Sequence, residues 1–371
     1  MRALWIVLLL LVGPLSGCLS EELVITEDGV CIERMSRGDD GTLRIVTYDI
    51  AAFSDEMLSE FTEQSGFAIE LIYADDAGGI LELMLQTQAA PQADLAVGLD
   101  NTYLQTALEF CLLTSHAVNT SLVDQRVMDL YSGPQAVPFD QGHVCLNYDE
   151  AVVDGENLTS PSSLWNLTEP EWTDRTVFPS PLTSSPGRAF MVATVDYFEN
   201  DEDTSTNAFD WWKAMAQNGA TFTTGWTEAY EIHYSGGYGA WVEGHLGDAA
   251  MTVSYCHSPG VEAYYGGNAT SSTSLVLPRA TFHQVEYGGL INGGGNADAA
   301  NAFLTYLLSE EVNSNMPENN LMKSVLNNAT WPEQDGYRYH TDEPVLGANM
   351  STERIGEEMA AWLVAWSEAT R

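Results

Sequence analysis

Ala136-Val137-Pro138-Phe139-Asp140-Gln141-Gly142-His143-Val144-Cys145-Leu146-Asn147-Tyr148 is apolar and long enough to form one strand that leaves one lobe of a protein and enters another. A second apolar run, Phe282 to Ile291, has the composition to cross back. Two such crossings divide the chain into one lobe made of 43–140 and 285–371 and a second made of 141–284. The portion after residue 42, about 330 residues, is too long for one compact lobe and suits two.

Working outward from the first crossing, strands and helices alternate. Leu43 to Tyr48 alternates like a strand; Ser54 then caps a helix with Leu58 and Phe61 on one face, and Gly66 ends it. Strand 68–73, helix 80–88, strand 93–98 and helix 102–110 follow. Alternation of this kind implies parallel pairing, and ligands of open parallel sheets sit beyond the carboxyl ends of the strands. Tyr48, Asp49 and Asp100 lie at such ends. Between the crossings come strand 175–178, a helix start at Thr183-Ser184-Ser185-Pro186-Gly187, a helix through Trp211 and Trp212, and strand 249–255. After the return, 296–310 reads as an amphipathic helix, and Ile355, Met359, Trp362, Leu363 and Trp366 repeat at helical spacing. The fold class is therefore α/β with two lobes, each a mixed, mainly parallel sheet flanked by helices.

Thirteen Lys and Arg against fifty-three Asp and Glu give a formal net charge of −40, which makes nucleic acid and anionic membranes poor partners. With 45% hydrophobic residues, the acid coats a folded surface and does not form a disordered tail. Arg2, the short apolar run Ala3 to Val12, and Leu15-Ser16-Gly17-Cys18 read as a lipoprotein signal peptide, 1–17, with Cys18 lipidated. Such a leader predicts an extracytoplasmic protein anchored by lipid to the outer face of the cell membrane. Residues 18–42 lack apolar periodicity and read as a tether. Cys31, Cys111, Cys145 and Cys256 allow two disulfides in any of three pairings. Six Asn-x-Ser/Thr sequons, at Asn119, Asn157, Asn166, Asn268, Asn328 and Asn349, are possible surface glycan sites.

Gly225-Trp226-Thr227-Glu228-Ala229-Tyr230 sets an indole, a carboxylate and a phenol close together, which reads as half of a cage for a flat cation, with Tyr255 as a further ring. Ser184 and Ser185, before Pro186 at a helix start, offer hydroxyls and backbone N–H groups. Asp100 can pair with a ring amine or a cation, or cap the helix that follows it. Together with Val97-Gly98-Leu99-Asp100-Asn101, Val253-Ser254-Tyr255-Cys256-His257-Ser258-Pro259 and the C-terminal helix, these motifs resemble, in order from residue 43 to Arg371, the substrate-binding proteins of thiamine ABC importers.

That resemblance implies a periplasmic-binding-protein type 2 fold, a Venus flytrap that closes on thiamine or a thiamine phosphate in the cleft. It implies delivery to a membrane permease driven by a separate ATPase, and a monomeric protein with no catalysis, cofactor or metal. Tyr48, Asp100, Ser184, Ser185, Trp226, Tyr230 and Tyr255 would be the ligand-binding residues. The chain departs from the family in two places. Thiamine binders usually carry Trp soon after the Thr-Tyr-Asp segment, where Phe53 is the nearest ring here, and a second Trp where this chain has Leu321. Either Tyr48, Phe53, Tyr234 or Tyr238 rebuilds the opposite wall, or the ligand is a relative such as a pyrimidine precursor or a thiamine phosphate. Two rival readings keep the fold: a ferric-binding protein using Tyr264-Tyr265, and a thiaminase-like enzyme with Cys145 or Cys256 as nucleophile.

Overall fold

The structure is a computed structural model that describes residues 31–48, 53–201, 205–237 and 242–371. The readings at 1–30, including the signal peptide and Cys18, and those at Asp49 and Tyr238 lie outside the described residues.

The strands are β1 Thr42–Tyr48, β2 Ala68–Ala74, β3 Leu95–Asp100, β4 Leu113–Thr114, β5 Val137–Asp149, β6 Thr176–Pro179, β7 Thr221–Thr223, β8 Met251–Tyr255, β9 Ser272–Leu275, β10 Phe282–Ile291 and β11 Lys323–Ser324. They form one continuous sheet in the order β2-β1-β3-β10-β5-β8-β6-β7, with β4 on β10 and both β9 and β11 on β5. β1 pairs in parallel with β2 and β3, and β6 in parallel with β7 and β8. β5 and β10, antiparallel to one another, join these two parallel groups. Residues from Val137 onward in β5 pair with β10, and Val144 to Tyr148 pair with β8, so this strand spans both lobes as its length predicts.

Two separate apolar cores confirm the two lobes. One gathers Leu43, Ile45, Leu95, Val97, Val137, Val285, Phe303 and Leu304; the other gathers Val144, Phe178, Phe190, Trp211, Trp212, Met251 and Val253. The helices form where capping chemistry starts them. Ser54 accepts from Met57 N to open Asp55–Ser65, which Gly66 ends at φ 80. Ser184 accepts from Gly187 N to open Ser185–Glu199, with Pro186 in its first turn.

Two sequence expectations change. The C-terminal helix, Thr352–Ala369, presents the apolar face its spacing predicts, but Ile355, Met359, Trp362 and Trp366 pack into the second core and not the first. Trp366 meets Trp212 and Phe222 edge-on at centroid distances of 6.0 and 5.3 Å. Periodicity shows that an apolar face exists and leaves open which core receives it. Likewise, the described part of the stretch read as a tether is fastened to the first lobe. Cys31 is disulfide-bonded to Cys111, Arg34 N donates to Asn292 Oδ1 at 2.8 Å, and Arg37 pairs with Asp94 at 2.7 Å. Polar and covalent ties hold this segment without an apolar stripe.

Candidate ligand-binding site

A cavity of about 510 Å3 opens between the lobes, where β1 and β3 end and the crossing strands run beneath. The first lobe contributes Tyr48, Gly98 and the start of the helix Ala77–Gln86; the second contributes Ser184, Ser185, Trp226 and Tyr255; β10 contributes Glu286. The segment Asn320-Leu321-Met322 closes one side. Gly98, at φ +109, is required where it stands: a Cβ there would sit 2.5 Å from the Tyr48 ring. Its absence lets that ring lie against β3 beside the cavity.

The aromatic wall is built in depth. Trp226 lies over Tyr230 with ring centroids 4.8 Å apart and planes 16° from parallel, and its Nε1 donates to Ser254 Oγ at 3.0 Å. Tyr230 is fully buried behind it and donates its hydroxyl to Glu262. Both residues stand at the π-helical turn that begins with Glu228. Burial pushes the Glu262 carboxyl up to about 8, so the phenol rests against a carboxyl that holds its proton at neutral pH. One indole face is thus fixed from behind, and the other is left to the cavity. Tyr255 stacks on His257 at 5.1 Å and accepts from Gln284 Nε2 at 3.2 Å. Burial holds the His257 imidazole down at about 4, which keeps it neutral, and its Nε2 donates to the Leu321 carbonyl at 2.8 Å.

Among the described residues, every charged side chain that lines the cavity is acidic: Asp75, Asp76, Glu231 and Glu286. Asp76 also caps its helix by accepting from Gly78 N and Gly79 N at 2.8 and 3.1 Å. An apolar, ring-bearing cavity whose charges share one sign suits a flat organic cation.

Of the residues expected at the site, Tyr48, Ser184, Ser185, Trp226 and Tyr255 line the cavity, whereas Asp100 and Tyr230 do not. Tyr230 backs Trp226. Asp100 is wholly buried and accepts from Thr102 N and Thr102 Oγ1, both at 2.6 Å, and from Ser185 Oγ across the cleft. Its carboxylate therefore caps the turn that follows it and ties the lobes together. Arg188 crosses the same boundary, its guanidinium 3.8 Å from the centroid of the Tyr103 ring.

Neither Phe53, which packs edge-on against Phe303 in the first core, nor Tyr234, which is fully buried and bonded to Ser272, reaches the cavity. Leu321 does line it, with an aliphatic side chain and no ring. The residues that sequence reasoning missed are Asp76, Glu286, Asn320 and His257. A signal existed for Glu286, and for Asp140 beneath the cavity: both are charged residues inside stretches otherwise apolar enough to cross the molecule.

Both rival readings lose their residues. Cys145 and Cys256 are joined in a disulfide and buried, so neither offers a thiolate. Tyr264 and Tyr265 sit on the helix Ser258–Tyr265 away from the cavity lining; Tyr264 donates to Glu318, and Tyr265 is 61% exposed. Among the described residues, no three His, Cys, Asp or Glu side chains converge as a metal site.

Residues 56–319 match the family described as bacterial extracellular solute-binding protein. The chain belongs to this family. That places it outside the cytoplasmic membrane as a solute-binding component. It is similar to the thiamine-binding periplasmic protein of Escherichia coli strain K12, 23% identical over 333 residues that cover 88% of this chain and 93% of that protein. It is also similar to the thiamine-binding periplasmic protein of Haemophilus influenzae, 22% identical over 297 residues covering 80% and 82%. Among solved structures, a periplasmic thiamin binding protein superposes with a TM-score of 0.74 at 23% identity, covering 91% of this chain and 99% of its own. Iron-bound HitA from Pseudomonas aeruginosa superposes with 0.65 at 17% identity, covering 89% and 99%, so the fold alone does not select a ligand.

Proposed function

We propose that this protein captures thiamine or a thiamine phosphate between its lobes and delivers it to a membrane permease energised by a separate ATPase, while Cys18 anchors it by lipid. The observation that carries the ligand assignment is the Trp226–Tyr230 stack in a cavity whose lining charges are all acidic. A desolvated thiazolium gains about 0.5–2 kcal/mol from a well-placed ring face, and the carboxylates supply its counter-charge. The start of the helix Ser185–Glu199 lies beside the cavity, near enough to meet a hydroxyethyl or phosphate arm. The names of the similar proteins support the same ligand.

The test is a thermal melt with thiamine, its mono- and diphosphate, and Fe(III). A ligand at 100 times its Kd adds about 2.7 kcal/mol to the stability of the folded state. Stabilisation by a thiamine compound and none by Fe(III) is expected; the reverse pattern would reject the assignment. Mass spectrometry of the mature N-terminus tests the anchor, with a diacylglyceryl-modified Cys18 as the expected result and an unmodified Cys18 as the contrary one.

A further inference from the structure

Glu286 stands in the middle of a row of three buried carboxylates. On β10 it is the register partner of Asp100 on β3 and of Asp140 on β5. Register partners project to one face of a sheet with Cβ atoms about 5 Å apart. Asp100 and Asp140 are 0% exposed and Glu286 5%. Their hydrogen bonds are unequal. Burial raises the Asp100 carboxyl as well, but three donors, from Thr102 and Ser185, offset part of that rise. Glu286 accepts from the Tyr48 hydroxyl at 2.6 Å and has only a long contact, 3.5 Å, from Gln284. Asp140 accepts from Asn320 Nδ2 on one oxygen, while its other oxygen, Oδ1, is buried with no hydrogen-bond partner.

Among the described residues, the titratable and charged groups that face the pair do not neutralise it. They are Asp100 from β3, Tyr48 from β1 and Tyr255 from β8, all anionic when ionised. Arg188 acts on Asp100 at the far end of the row, and Lys323 of β11 pairs with Glu343. Burial raises both Asp140 and Glu286, and the charge of Asp140 raises Glu286 further. Neighbouring buried carboxylates without a cation retain a proton between them.

We propose that Asp140 and Glu286 share one proton in the free protein, and that a cationic ligand seated against Glu286 displaces it, so that capture exchanges a proton for the ligand's fixed charge. The exchange rests on the proposed capture of thiamine. No covalent bond changes: the proton leaves to buffer, the pair goes from one negative charge to two, and the ligand's positive charge balances the gain. A neutral solute cannot drive the exchange, so the pair makes the site selective for cations. It also makes capture tighten as pH rises, by about tenfold per pH unit below the pKa of the free pair.

The test combines infrared spectroscopy of the whole protein with calorimetric titration of thiamine at pH 7 in phosphate and in Tris, buffers with different ionisation heats. The expected result is a protonated-carboxyl C=O band in the free protein that weakens in Asp140→Asn and in Glu286→Gln. In the native protein, saturating thiamine should remove that band and release close to one proton. The absence of any band that responds to either substitution would overturn the shared proton; the wild-type titrations apply even if a variant fails to fold. Thiamine binding with equal heat in both buffers, and with the band intact, would overturn the exchange and leave the ligand assignment standing. No heat in either buffer together with no rise in melting temperature at saturating thiamine would defeat the ligand assignment and the exchange with it.

Discussion

Replacing Trp226 with Ala removes the front ring of the stack and tests whether the indole is a ligand wall or packing. Trp226 lines the cavity, and its described hydrogen bond is the one from Nε1 to Ser254 Oγ, so its removal leaves the Tyr230–Glu262 bond behind it in place. The lost cation–π contact is worth about 0.5–2 kcal/mol. Uncovering on the order of 40–60 Å2 of ligand and ring surface adds about 1–1.5 kcal/mol at 25 cal/mol per Å2. The sum, about 1.5–3.5 kcal/mol, corresponds to about a 10- to 300-fold weaker Kd for thiamine. Trp226→Phe keeps a face and loses the bond to Ser254, and it should stay within about tenfold of the native protein. Calorimetric titration measures both, and circular dichroism with a thermal melt establishes that each variant is folded. A folded Trp226→Ala protein that binds thiamine within threefold of the native Kd would refute the indole as a wall of the site.

Three further outcomes follow from the same geometry. Free-thiol titration of the native protein should find no reactive thiol among Cys31, Cys111, Cys145 and Cys256, and a Cys145→Ser/Cys256→Ser variant should lose about 2–5 kcal/mol in denaturant unfolding, because that disulfide closes a loop with a sequence separation of 111. Burial lowers His143 and His257 to about 4 and His283 to about 3. Below pH 6.5 the unfolded chain takes up protons that these folded imidazoles refuse, so stability should fall by about 1.4 kcal/mol per histidine per unit from about pH 6.5 down to about 4 for His143 and His257 and to about 3 for His283; urea unfolding as a function of pH, with a shallower slope in His283→Gln, checks it. Glu262 has the opposite sign. Its raised carboxyl makes stability decline as pH rises from about 4.5 to about 8, and Glu262→Gln, which still faces the Tyr230 hydroxyl, should flatten that decline in the same assay.

Much of the fold was legible because β5 and β10 are long apolar runs, and their observed limits, Val137–Asp149 and Phe282–Ile291, lie close to the expected ones. Ser54 and Ser184 cap the helices they precede because their side chains accept local N–H groups, a property that needs no tertiary knowledge. What could not be read was partnership between distant segments. Trp366 meets Trp212 across the second core, and Arg37 meets Asp94 on the first lobe, and nothing local encodes either choice. The site divides the same way. Trp226, Tyr230 and Tyr255 stood out as aromatic residues in recognisable motifs, but whether a ring is the front face or the backing depends on packing, which sets Tyr230 behind Trp226. Glu286 and Asp140 lay in strands read for their apolar character. A charge inside such a strand is costly unless compensated, and that cost was the unread pointer to the floor of the site.

Titration of the purified protein with thiamine and its phosphates in an isothermal calorimeter measures the central claim most directly. A saturable, one-to-one isotherm with at least one of these compounds, weakened in Trp226→Ala, is the predicted result. No saturable binding of any of them to folded protein would contradict it.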